Sequence, residues 1–285
     1  MTRPREVVPG RFYLITRRCA QRQFLLRPDK VTNDVFAYCL ATSADHYKID
    51  VIATCAMSNH HHTVIFDRDG RYPEFLENFH RLTARCMNLV RNKRRENFWS
   101  SEQVNVVWLA DRAAVIEKIC YTLVNPVRHN MVADARQWPG VNTYRNLMNG
   151  TAIKVRRPRM FFRPIATERQ PDEVELRMKL PPELLNGRTR AELLADIKDH
   201  MDFAHEYWLA HHAKKGRRPV GRDRARTQSW EDFPPQDPNH RQWKLKRNRV
   251  KPTRATRDKL RQQECAARSR EFRAAYREAR AAQLA

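Results

Sequence analysis

Through the first 125 residues, apolar positions alternate in some stretches and recur every three to four residues in others. Arg11 to Cys19, Arg-Phe-Tyr-Leu-Ile-Thr-Arg-Arg-Cys, has strand composition, and Pro9-Gly10 punctuates its start. From Lys30 to His46 the apolar positions Val31, Val35, Tyr38, Cys39, Ala41 and Thr42 keep helical spacing. Ile49 to Met57 alternates and predicts a second strand; His60 to Phe66 predicts a third. Asp67-Arg68-Asp69-Gly70 is a turn. Tyr72 to Arg91 predicts a long amphipathic helix facing inward through Phe75, Leu76, Phe79, Leu82, Cys86 and Leu89. Val104 to Leu109 predicts a fourth strand. Asp111 then caps a helix over Ala113 to Leu123. Asn125-Pro126 ends it, because the residue before proline avoids the α region.

Strand, helix, strand, strand, helix, strand, helix is the order of an α+β fold. The expected architecture is ferredoxin-like and RRM-like, an antiparallel sheet with helices on one face. No internal repeat suggests a solenoid. Past Trp138-Pro139-Gly140 the pattern weakens, with only the short apolar run Met160-Phe161-Phe162 between prolines. Pro181 to His212 resumes it: Thr189-Arg190-Ala191-Glu192 is a capping-box pattern ahead of Leu193, Leu194, Ile197, Met201, Ala204 and Trp208. Lys214-Lys215-Gly216-Arg217-Arg218-Pro219 opens a basic, proline-punctuated stretch holding Trp230, Phe233 and Trp243. Arg254 to Leu284 reads as a basic helix or as a segment that orders on a polyanion. The expected division is a catalytic unit over 1–150, a helical appendix over 151–210 and a basic tail over 211–285.

Composition narrows the class. At 41% hydrophobic the chain can bury a core, but no run of about 18 apolar residues exists to span a bilayer. The N-terminus lacks the apolar centre of a secretory signal. Six scattered cysteines without a Cys-x-x-Cys argue against structural zinc and a disulfide framework. The expected setting is cytoplasmic, at the nucleoid. Net charge is +23, which favours polyanionic partners. The excess is uneven: residues 1–150 hold 22 basic and 14 acidic side chains, residues 211–285 hold 22 and 8. A folded unit followed by a basic arm fits that asymmetry.

Two tracts carry candidate chemistry. In Asn59-His60-His61-His62, residues 60 and 62 of a strand face the same way and His61 faces the other. Two imidazoles on one face make an open metal site once a third ligand joins. In the second tract, Tyr121 and Asn125 are i and i+4 and share a helix face. If that face lies over the sheet, phenol, amide and imidazoles converge. On spacing alone, a half-buried tyrosine and a helix C-cap asparagine explain the second tract better.

Asn59-His60-His61-His62 resembles the HUH motif of single-strand transposases, and Tyr121-x-x-x-Asn125-Pro126-Val127-Arg128 resembles their tyrosine region. Met57-Ser58-Asn59-His60-x-His62, Pro9-Gly10-x-Phe12-Tyr13-Leu14-Ile15-Thr16-Arg17-Arg18 and Glu96-Asn97-Phe98-Trp99 are similar to the REP-associated tyrosine transposase branch. The resemblance covers about residues 5 to 145 and not the tail. His61 departs from it, since many members carry a large apolar or aromatic residue there. A solvated third imidazole puts little in doubt, but leaves open which two histidines bind metal.

The resemblance implies a divalent metal, Mg²⁺ or Mn²⁺, on His60, His62 and Asn125, with Tyr121 as nucleophile on single-stranded DNA. A 5′-phosphotyrosyl link and a free 3′-hydroxyl result, so rejoining needs no ATP. It implies hairpin DNA as partner, no membrane, and either a monomer or a homodimer. Arg17, Arg18, Arg81, Arg85 and Arg128 are the DNA-contact candidates, with the tail adding phosphate contacts. The alternative is a non-catalytic nucleic-acid-binding protein on the same fold. A hydrolase using water, with Tyr121 structural, ranks last because no paired carboxylates lie near the histidines in the sequence.

Overall fold

The computed structural model describes residues 5–92, 97–159, 161–162, 167–168, 170–234, 254–256 and 258–282. Met160, Glu96, Trp243 and Leu284, named above, lie outside them. Four strands form the body of a five-stranded central sheet: β1 (Arg11–Arg18), β2 (Ile49–Met57), β3 (His60–Asp67) and β4 (Asn105–Leu109). Their spatial order is β2-β3-β1-β4 and every one of these pairings is antiparallel. Helix α1 (Lys30–His46) joins β1 to β2, and α2 (Tyr72–Val90) joins β3 to β4. That is the ferredoxin-like arrangement the apolar pattern predicts.

Helix starts follow local chemistry. Asp29 accepts from the Thr32 amide to cap α1, and Asp111 accepts from the Ala114 amide to cap α3 (Arg112–Leu123). The buried Asp67 carboxylate, closing β3, accepts from the amides of Arg71 and Tyr72 and so starts α2. The chain turns from strand to helix within a few residues because its own aspartate satisfies the orphan donors.

Register decides which side chains meet. Thr16 stands opposite His62, Arg17 opposite His61 and Arg18 opposite His60. Successive residues alternate faces, so His61 and Arg17 share one face, His60, His62, Thr16 and Arg18 the other. α1 and α2 cover the His61 face, where Phe36 and Phe79 both contact the His61 ring. Phe36, Phe75 and Phe79 are fully buried there, each worth about 1.5–3 kcal/mol of burial. α3 crosses the opposite face over β2 and β3. β2 is therefore buried along its whole length, covered on both sides.

Beyond residue 125 the chain wraps this unit. The four-residue α4 (Asn125–Arg128) follows α3, and α5 (Tyr144–Asn149) comes after it. A hairpin of β5 (Ala152–Arg156) and β6 (Glu173–Arg177), absent from the apolar pattern, packs on α1, with Tyr38 donating to the Pro171 carbonyl at 2.7 Å. After the single turn α6 (Pro182–Leu185), α7 (Arg190–Lys214) starts at the expected capping box of Thr189 and Glu192. It lies on α3 through Leu193, Ile197 and Met201. α8 (Arg222–Thr227) follows, and β7 (Arg254–Ala255) pairs in parallel with β4. The basic stretch ends in a docked helix, α9 (Lys259–Ala282), held by an Arg268–Glu6 ion pair of 2.7 Å and by Arg261 donating to the Ala110 carbonyl at 2.7 Å. All six cysteines are buried and outside any disulfide. No helix among the described residues is long and apolar enough to cross a membrane.

Candidate metal and nucleophile site

The two-residue turn Ser58-Asn59 connects β2 to β3, and both of its carbonyls are used: Ser58 accepts from the Leu26 amide, Asn59 from the Cys19 amide. His60 thus leaves a fixed corner. The Asn59 amide nitrogen donates to the Arg22 carbonyl at 3.2 Å, which turns its oxygen toward His60. That oxygen can only accept, so the 2.6 Å contact puts the proton on His60 Nδ1 and leaves the Nε2 lone pair free. His62 bonds Thr16 Oγ1 through Nδ1 at 2.8 Å, and its Nε2 is buried with no partner. The two rings lie 4.9 Å apart between centroids.

α3 brings the second tract over this pair. The Tyr121 ring stands edge-on to His62 with centroids 5.0 Å apart. Its hydroxyl makes no hydrogen bond among the described residues. Asn125 is fully buried at the start of α4 and is not a C-cap: Val124 caps α3, and Pro126 sits in the first turn of α4. Proline is tolerated at that position, so the chain restarts a helix instead of leaving it. The Asn125 amide lies near enough to His60 to favour its protonated form, yet neither its oxygen nor its nitrogen completes a hydrogen bond. The amide is adjacent to His60 but unsatisfied.

Burial holds His60 and His62 well below the usual imidazole range. For His60 the neighbours His62, His129 and Arg18 add to the shift and Asn125 opposes it; for His62 the neighbours are His61, His129, Arg18 and Arg128. Both imidazoles are therefore neutral, the state that coordinates a cation. Buried polar atoms without partners need a reason. Two free imidazole nitrogens and an amide oxygen suit an oxygen- and nitrogen-preferring divalent ion, while Asn59 and Thr16 orient the rings from behind. Among the described residues no group of three or more His, Cys, Asp or Glu side chains is placed to hold a metal, and the further polar side chain beside the imidazole pair is the unsatisfied Asn125 amide.

The arginines divide. Arg18 is exposed on the site face beside His60. Arg128 stacks its guanidinium over the Tyr121 ring, 4.8 Å from its centroid. Arg17 points to the other face and donates to the Glu102 carbonyl at 2.8 Å. Arg81 and Arg85 sit on the exposed side of α2, across the sheet from the histidine pair, and Arg81 donates to Asn78. The structure thus gathers Arg18 and Arg128 at the site and leaves Arg17, Arg81 and Arg85 away from it.

His61 is not solvated. It is wholly buried, with Nδ1 on Thr63 Oγ1 at 3.0 Å and Nε2 on His80 Nε2 at 2.9 Å. Both His61 nitrogens are occupied inside the helical layer, so of the three histidines only His60 and His62 keep a ring nitrogen open on the α3 face. His129, unassigned in the sequence, brings its ring to 5.9 Å from His60. Its place four residues after Asn125 was the available signal. His129 is depressed by burial, then by Arg128, His212 and Arg18; much of its surface is exposed, so water offsets part of that shift.

No family model matches the chain, and no curated protein matches it. Solved structures to which the chain shows similarity include the following two. One is a REP-associated tyrosine transposase bound to a REP hairpin: 13% identity, TM-score 0.44, 63% of this chain and 99% of that one covered. The other is a putative transposase from Deinococcus radiodurans R1: 18% identity, TM-score 0.30, 38% of this chain and 85% of that one.

Proposed function

We propose that this chain is a divalent-metal-dependent DNA strand-transfer enzyme that cuts single-stranded DNA beside a hairpin through a 5′-phosphotyrosyl intermediate on Tyr121. The observation that carries the reading is the edge-on approach of the Tyr121 phenol to His62, whose buried Nε2 has no partner. His60 Nε2, His62 Nε2 and Asn125 Oδ1 would hold Mg²⁺ or Mn²⁺. When bound, the ion supplies positive charge to the oxygens of the scissile phosphate.

The chain's own groups do the rest. The Tyr121 oxygen forms a bond to phosphorus as its proton is lost, and the bond from phosphorus to the 3′ oxygen breaks. The 3′ oxygen leaves with a proton as a hydroxyl. Attack by the 3′-hydroxyl of a second strand reverses the sequence and frees the phenol, so the phosphodiester energy is conserved. Arg18 and Arg128 border the site and suit phosphate contacts. The basic composition of residues 214–280 supports further phosphate contacts that carry no sequence information, in keeping with a protein that works at DNA and, in a cell, at the nucleoid.

Incubation with labelled hairpin-bearing single-stranded DNA and Mn²⁺, followed by denaturation, tests this. The expected result is a covalent protein–DNA adduct that is lost in Tyr121→Phe. Binding without cleavage would instead make this a non-catalytic nucleic-acid-binding protein, and cleavage without an adduct would make it a hydrolase.

A further inference from the structure

α7 begins 69 residues downstream of Tyr121, outside the stretch that carries the transposase-like motifs, yet two of its side chains reach the site. The Arg128 guanidinium lies between two aromatic rings, 4.8 Å from the Tyr121 centroid and 5.0 Å from that of Trp208. A planar, weakly hydrated cation suits that slot, since both ring faces attract it. His212, one turn beyond Trp208, sets its Nε2 3.1 Å from the carbonyls of both Val127 and Arg128. Carbonyls only accept, so Nε2–H donates to both and caps the free end of α4. That backbone carries Arg128 over the phenol and His129 beside His60.

Arg128 has no carboxylate partner among the described residues. A stacked, half-exposed guanidinium without an anion at the edge of a phosphate-handling site is set to receive one. We propose that Trp208 and His212 are positioning residues that fix Arg128 so that its guanidinium meets the phosphate attacked by Tyr121. This rests on the strand-transfer reading and extends it: the helix of the appendix is part of the reaction centre. Trp208 fixes the side chain by stacking, and His212 fixes the backbone beneath it. In this proposal each acts through the placement of Arg128.

A double-mutant cycle between Trp208→Leu and Arg128→Ala tests this, read as single-turnover adduct formation at saturating hairpin DNA. Trp208→Leu should slow the reaction on the order of ten- to a hundredfold, the loss expected from a displaced reacting group. DNA affinity should move much less, and Trp208→Phe should restore most of the rate. In an Arg128→Ala background, Trp208→Leu should cost nothing further. Additive losses would overturn the proposal, as would a Trp208→Phe variant as slow as the leucine one. If Trp208→Leu fails to fold, the same cycle is run with His212→Gln, which keeps a donor, and His212→Leu, which does not. A second readout needs neither metal nor DNA: the Arg128 Nε–H proton should resonate upfield from the currents of both rings in the free protein and shift back in Trp208→Leu. An unshifted proton in the wild-type chain would overturn the proposal. Absence of any adduct in the wild-type chain sinks the strand-transfer reading itself, an outcome distinct from an adduct with additive losses.

Discussion

Three consecutive histidines on one strand have two different fates, one on each face of the sheet. On the α1/α2 face, the ring of His61 has both nitrogens used, and a chain of hydroxyls fixes every proton. Thr54 Oγ1 donates to the His62 carbonyl at 3.0 Å, so Thr63 must donate to Thr54 across their 2.8 Å contact. His61 Nδ1–H then donates to Thr63, which leaves Nε2 to accept from His80 Nε2–H. On the α3 face, His62 Nε2 and both Asn125 amide atoms are buried without partners. The first arrangement is a completed core network. The second is incomplete in the way a binding site is, because unsatisfied buried groups cost stability unless a ligand meets them. Identical residue type and adjacent positions do not imply identical roles; the partners on each face decide.

The contrast breaks most sharply at the phenol. Tyr121→Phe should lower adduct formation by at least ~10³-fold with unchanged melting, since its hydroxyl makes no hydrogen bond; a surviving adduct in a denaturing gel would end the nucleophile assignment. His62→Ala should come next, losing adduct formation and Mn²⁺ binding by calorimetry while hairpin DNA still binds. His61→Ala should do the opposite: a loss of about 2–4 kcal/mol in denaturant unfolding, because it opens a cavity and strands the His80 donor, with the rate per folded molecule kept within about twofold. Should His61→Ala abolish cleavage without destabilising the fold, the division between the faces is wrong.

Two smaller effects sharpen it. Asn125→Ala should leave stability unchanged or raise it by about 1 kcal/mol, since it deletes unsatisfied polar atoms, while weakening Mn²⁺ binding. A plain loss of stability without change in metal affinity would make the asparagine structural. The smallest effect is in pH. Burial, followed by the Arg17 charge, pushes His80 down to about 3. Above pH ~6.5 it is neutral in both folded and unfolded chains, and its contribution is complete. As pH falls from ~6.5 toward 3, the unfolded chain gains a proton that the folded one refuses, so stability drops by at most ~1.4 kcal/mol per pH unit from this group. His80→Gln should flatten that acid limb in urea unfolding measured from pH 7 to 4. An equally steep limb would mean that His80 titrates normally in the folded protein.

The elements of the first 125 residues were legible because each carries a local signal: alternation in Ile49–Met57, helical recurrence in Tyr72–Val90, and a cap at Asp111; Thr189 gives the same signal later in the chain. The His60/His62 pairing on one face follows from strand geometry alone, as does the opposite direction of His61. The hairpin of β5 and β6 escaped because its strands present few buried side chains: only Val155 and Leu176 are buried in the two five-residue segments. Asn125 before Pro126 predicts a helix end, but proline fits a first helical turn as well as it ends a helix.

By itself the sequence determined the strand and helix order, the facing of the histidines and the i, i+4 pairing of Tyr121 with Asn125, all of which are local consequences of fixed backbone periods. Only the tertiary structure decided that α3 lies across the His60/His62 face, that His61 closes a network with His80, that Arg81 and Arg85 sit on the far side, and that Trp208 and His212 come back to hold Arg128. Those are meetings between residues 19 to 85 positions apart, and long-range packing has no period for a sequence to display.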